Sequence, residues 1–232
     1  MNQPAHYSPF DAAAETQRFI VKVYSWMSFA LVVTGGVAVW TASKQEVIRM
    51  LFSTPWFFFI LIIAEFALVA SLVGWVQKMS AQAATIVFVL YSVLNGITLS
   101  VIFLVYTTDS IASTFFITAG TFAIMSAYGY FTKRDLTSTG NLLFMGLIGV
   151  ILASFVNMFF QNETLYWIVT YVGIAIFVGL IAYDTQKIKN LNVIGNEGTE
   201  EDKKEAIIGA LTLYLDFINL FLMLLRLFGK RR

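Results

Sequence analysis

The chain has 232 residues, 58% of them hydrophobic and 12% charged, with a net charge of +1 and a mean hydropathy of +0.76. Soluble domains carry about 25% charged residues, so no water-facing surface can be built from this composition, and the near-neutral balance argues against a nucleic-acid partner. Cysteine is absent and histidine occurs once, at His6, which excludes disulfides, thiolate metal sites, cysteine nucleophiles and any cluster of several histidines.

Residues 1–19 read as a polar N-terminal tail without the apolar core or small-residue cleavage site of a signal peptide. Apolar runs bounded by charges or turn residues then follow. The first, 20–41, ends before Lys44, Glu46 and Arg49. The second, 55–76, opens at Pro55 and Trp56 and stops at Gln77 and Lys78. The third, 82–106, leads through Asp109 to the fourth, 111–131, which halts at Lys133, Arg134 and Asp135. The fifth, 140–160, ends at Gln161, Asn162 and Glu163; the sixth is 165–184. A polar loop with Lys187, Lys189 and the acidic run 200–202 separates it from the seventh, 206–228. Lys230, Arg231 and Arg232 form a short basic tail at 230–232.

These runs are longer than any strand, and a helix satisfies its own backbone hydrogen bonds where no water can. The three prolines, at 4, 9 and 55, all lie outside the span interiors. The expected fold is an all-α integral membrane protein, a seven-helix transmembrane bundle over 20–229 whose first partner is the lipid bilayer. Lys and Arg divide nine to six in favour of a cytoplasmic N-terminus. Seven crossings then place the C-terminal tail outside, although its own basic residues pull the other way. Aromatic residues near the span ends, Trp40, Trp56, Trp75, Tyr106, Tyr130, Tyr166 and Trp167, read as an interfacial belt rather than a ligand cage. Small-residue rows, Ala119/Ala123/Ala127 on the fourth span and Gly149/Ala153/Asn157 on the fifth, read as helix-packing faces.

Ionisable residues inside spans are costly and turn inward, so each is a functional candidate. Four qualify: Glu65, Asp184, Asp216 and Arg226. Asp184 stands at the inner end of the sixth span and Asp216 about ten residues into the seventh, so consecutive helices can bring their carboxyls together. Such a pair shares a proton and changes charge with pH; the alternative is that each Asp separately accepts hydrogen bonds from neighbours such as Tyr183 or Asn219. Glu65 and Arg226 belong to the opposite half, where they could form an interhelical ion pair; the alternative for Arg226 is snorkelling to the headgroups. Asn95, Asn157 and Asn219 read as interhelical glue.

Several stretches carry a resemblance. They are Asn95-Gly96-Ile97-Thr98-Leu99-Ser100, Asp109-Ser110-Ile111-Ala112, Phe116 through Phe122, and Tyr128-Gly129-Tyr130-Phe131-Thr132-Lys133-Arg134-Asp135-Leu136. Two more follow: Ala182-Tyr183-Asp184-Thr185-Gln186-Lys187-Ile188, and Leu213 through Phe221 around Asp216. In this order they resemble the Bax inhibitor (transmembrane Bax inhibitor motif) family, most of all its bacterial inner-membrane branch. The resemblance implies a bundle with the last helix central. It also implies a pH-sensitive calcium leak channel, with calcium as the transported ion and no cofactor. Asp184 and Asp216 match the family's sensor and would be the carboxylates met by calcium; Glu65 and Arg226 match its other acidic and basic positions. Some members hold the aspartate pair with an arginine on the second helix. This second span has none, and Lys78 at its inner end is the candidate latch cation.

Two other functions compete with this reading. Intramembrane aspartyl proteases of the presenilin type also pair aspartates on two helices, but they need Gly-x-Gly-Asp and a late Pro-Ala-Leu. Here the tetrapeptide is Leu213-Tyr214-Leu215-Asp216 and no proline follows Pro55, so the chain is expected not to be an enzyme. The alternative to a channel is a regulator that binds another membrane protein, such as a membrane-bound protease, without transport.

Overall fold

The computed structural model describes residues 9–53 and 55–232. His6 and the first eight residues of the expected tail lie outside them. The described residues are all-α: seven helices are long and apolar enough to cross a membrane. In chain order the elements are α1 (Pro9–Ser43), α2 (Gln45–Ser53), α3 (Pro55–Trp75), a 3₁₀ turn (Val76–Lys78), α4 (Ala81–Leu99), α5 (Ile102–Val105), α6 (Thr108–Phe131), α7 (Thr137–Phe160), α8 (Glu163–Leu191) and α9 (Glu200–Phe228).

The chain forms two compact units. Unit 1 comprises residues 1–101 and 188–211, and unit 2 comprises residues 102–187 and 212–232; α8 and α9 contribute to both. The last helix is the most buried: 67% of its apolar window is inside, against 6% for α7. Large apolar side chains stand exposed along α3 and α7, Phe66, Ile63, Phe159 and Phe160 among them. In water such faces would drive aggregation; in a bilayer they meet lipid.

Unit 1 packs α1 chiefly on α4, with α3 on the other flank of α4. The close approach of α1 and α4 needs Gly96, where a Cβ would stand 2.7 Å from the Thr34 carbonyl oxygen. In unit 2 the second half of α9 presents Phe217 to two rings of α6, Phe115 at 5.4 Å and Phe122 at 5.6 Å between centroids. Edge and tilted contacts of this kind are favourable beyond simple burial.

Three expectations change. The first helix begins at Pro9, so most of the polar stretch assigned to a tail is helical. Proline suits a first helical turn because its missing N–H would have no partner there. The long-range contacts of Glu15 and Arg18 supply what apolar periodicity could not. The apolar run 82–106 is broken: α4 stops at Leu99, and the Ser100 hydroxyl bonds the Ile97 carbonyl at 2.6 Å, which competes with the helix ladder. Between α1 and α3 the charged connection folds into α2, nine residues and too short to span.

The small-residue rows are only partly covered: Ala119, Ala153 and Asn157 are half-buried. Gly149, Ala123 and Ala127 are exposed, and a Cβ at Gly149 would meet open space. The close contacts fall on Gly129 and Gly140 instead. Spacing along one helix says which residues share a face; it does not say which face meets a neighbour.

Candidate functional site: a buried aspartate pair

Asp184 on α8 and Asp216 on α9 belong to unit 2, and their side chains are hydrogen-bonded to each other. Both residues are buried, 8% and 6% exposed. Asp216 Oδ2 is buried and, among the described residues, accepts no hydrogen bond. A carboxylate is an acceptor only. Two carboxyl groups can therefore bond to one another only when one of them carries a proton.

The α8 segment around Asp184 is fixed at every step. Ala182 lies against Gly129 of α6, where a Cβ would stand 2.2 Å from the Ala182 carbonyl oxygen. The Tyr183 ring fills the space beside Gly140 of α7 in the same way, at 2.3 Å. Thr185 donates to Ser126 of α6 at 3.2 Å. Gln186 uses both ends of its amide on the α6–α7 connection: its nitrogen donates to the Arg134 carbonyl at 2.8 Å, and its oxygen accepts from the Leu136 N–H at 2.9 Å. That connection is itself ordered by Asp135, which accepts from Thr137 N–H at 2.9 Å. This hydrogen bonding holds the Asp135 carboxyl below its ordinary range. Side-chain rotamers pinned on both sides leave Asp184 little freedom to turn from Asp216.

Lys187, one turn along α8 from Asp184, acts on it electrostatically. Its ammonium stands 5.8 Å from the Tyr183 ring centroid. Lys78, the expected latch, is an exposed residue of the 3₁₀ turn in unit 1. The signal in the sequence for Lys187 is its place at i+3 of Asp184 on the same helix.

Glu65 and Arg226, expected as an ion pair, fall in different units, and each has other partners in its own. Glu65 ties α3 to α4 by accepting from Thr98 at 2.5 Å and Asn95 at 3.4 Å. Arg226 lies with its guanidinium carbon 4.9 Å from the Tyr166 ring centroid. Of the asparagines expected between helices, Asn95 does bridge them. Asn219 donates to the Leu215 carbonyl of its own helix, and the Asn157 side chain accepts from Asn162 N–H.

A carboxyl pair between consecutive late helices, within seven apolar spans, is a specific arrangement, and the sequence agrees with it. Residues 16–232 match the family described as Inhibitor of apoptosis-promoting Bax1. The chain belongs to the Bax inhibitor family. Among its relatives, the inner membrane protein YbhL of Escherichia coli is 54% identical over 220 residues, covering 94% of both chains. A protein of Borreliella burgdorferi is 46% identical over 215 residues, 93% of both chains. A membrane protein of Streptococcus pyogenes is 34% identical over 232 residues, 99% of both. This Bax inhibitor family member is thus a multi-pass inner membrane protein, on its seven spans and its likeness to YbhL.

Proposed function

We propose that the chain is a pH-sensitive calcium leak channel of the inner membrane and not an enzyme, with the Asp184–Asp216 pair as its sensor. The observation that carries this reading is the hydrogen bond between two buried carboxyls on α8 and α9. With one shared proton the pair is a latch between the two helices. Removal of that proton leaves two like charges side by side in a site with little water, so they repel. The contact between α8 and α9 then loosens, and the same charges attract a cation.

Calcium takes six to eight oxygen ligands in a resident site. Two carboxyls offer fewer, which suits transit rather than storage. The calcium preference comes from the family resemblance.

The test is calcium flux into proteoliposomes between about pH 6 and about pH 8, since the two protons of a coupled carboxyl pair leave in separate steps. The wild type is expected to conduct more as pH rises, and Asp184→Asn with Asp216→Asn to conduct independently of pH. Equal wild-type flux at both ends of the range would sink the gating claim. No flux above empty liposomes would favour the alternative, a regulator that binds another membrane protein.

A further inference from the structure

Unit 2 also holds a cavity of about 700 Å³ that the aspartate pair does not use. It is lined by the end of α7, the turn at Gln161 and Asn162, the start of α8 and the residues that close α9. From Trp167 on its wall to Asp184 is about 26 Å along α8 at 1.5 Å per residue.

Two arginines face this cavity, Arg226 and Arg231. Within unit 2 neither has a carboxylate in ion-pair reach; the ion pairs of the described residues all lie in unit 1. Arg226 rests on the Tyr166 ring. Stacking on an aromatic face holds a guanidinium in place while its in-plane N–H donors stay available.

Arg231 is exposed, yet its backbone is fixed. Thr107 N–H donates to the Lys230 carbonyl and Arg232 N–H to the Val105 carbonyl, each at 3.0 Å, and Tyr106 pairs with Arg231 across an antiparallel bridge. Gly229 permits this approach, because a Cβ there would stand 2.6 Å from the Tyr106 ring. Arg231 is therefore a built part of the cavity rim.

Two asparagines of the lining add amide donors. Asn157 Oδ1 accepts from Asn162 N–H at 2.8 Å, and Asn162 Oδ1 accepts from Leu165 N–H at 2.9 Å. Both side-chain carbonyls are thus occupied, and each amide nitrogen is the end left over. The N-terminus of α8 adds the positive end of its dipole. Glu163 is the one carboxylate on the lining, exposed in the first turn of α8. Two arginines and two amide donors around one cavity select an anion with several acceptor oxygens. Beside them Met158, Phe159 and Phe160 stand exposed at the end of a helix that faces lipid. A headgroup anion carried on acyl chains fits both surfaces.

We propose that this cavity binds a phosphate group, that of an anionic phospholipid headgroup, through Arg226 and Arg231. The full chain in neutral detergent would be titrated with phosphatidylglycerol, phosphatidylcholine or inorganic phosphate, with bound species counted by native mass spectrometry. Wild type is expected to retain phosphatidylglycerol over phosphatidylcholine. Arg226→Gln with Arg231→Gln should weaken that retention roughly tenfold or more, since it removes the charge-assisted donors. Lys133→Gln, on the α6–α7 connection, should leave it unchanged. Inorganic phosphate binding as tightly as phosphatidylglycerol, and lost in the same double variant, would support the site and assign the soluble ion as its source. Phosphatidylglycerol retained equally by wild type and double variant would overturn the proposal. Should the double variant not fold, Arg231→Gln alone decides on the same terms, because its side chain is exposed.

Discussion

At the scale of single residues, the positions around Asp184 are set by what they touch on α6 and α7. Gly129 is the tightest: any Cβ there meets the backbone of Ala182, which cannot move aside as a side chain could. Gly129→Ala is therefore expected to cost about 1–3 kcal/mol, the usual range for overpacking a close contact, read by thermal unfolding of the purified protein. Gly120→Ala, on the same helix but with open space around it, should leave the unfolding temperature unchanged. Equal behaviour of the two variants would mean that the α6–α8 contact is not tight. The motif residues were legible in the sequence as a resemblance; their division of labour was not. Tyr183, Thr185 and Gln186 flank Asp184 in one short stretch, yet each engages a different partner, which only packing assigns.

At the scale of elements, the loop between α8 and α9 is strapped to the start of α1 within unit 1. Arg18 donates twice to Glu197, at 2.7 and 2.8 Å, and holds that carboxyl below its ordinary range. Glu15 accepts from Gly195 N–H through both oxygens, at 2.8 and 3.0 Å. Lys22 donates at 2.5 Å to Asp202, which also accepts from Gly198 N–H. Asp202 is only 1% exposed. Lys22→Met strips a buried carboxylate of its counter-charge and should cost on the order of 2 kcal/mol in thermal or denaturant unfolding. Adding Asp202→Asn should recover part of that loss, since the stranded charge goes with it. A double variant no more stable than Lys22→Met would show that the pair is not coupled. Spans were read from apolar length, and this strap is polar throughout, so the sequence offered a tail and a loop where the fold has one clamp.

At the scale of the whole molecule, seven crossings are expected to put the two ends of the chain on opposite sides of the membrane, a prediction that labelling tests. A cytoplasmic N-terminus places the α1–α3 connection outside and the α6–α7 connection inside. The chain has no cysteine, so single substitutions report cleanly. A membrane-impermeant maleimide is expected to label Ser53→Cys in intact cells and Arg134→Cys only after permeabilisation, both side chains being exposed. The opposite pattern would invert the orientation and with it the side from which the aspartate pair is reached. Labelling of both from outside would contradict the count of spans between them.

The sequence by itself determined that this is a membrane protein, how many helices cross and which ionisable residues lie within them. Those properties follow from local composition: an apolar run of sufficient length must be helical in a bilayer, and a charge inside it must turn inward. Family membership was also carried by local motifs. Tertiary structure decided which of those charges meet. Asp184 and Asp216 do within unit 2; within its own unit Glu65 accepts from Thr98 and Asn95, and Arg226 rests on Tyr166. It also decided which glycines are contacts, and that the basic end of the chain is held against residues 105–107 rather than left as a free tail. Pairing depends on helix rotation and depth, and these are set by close packing between residues far apart in the chain.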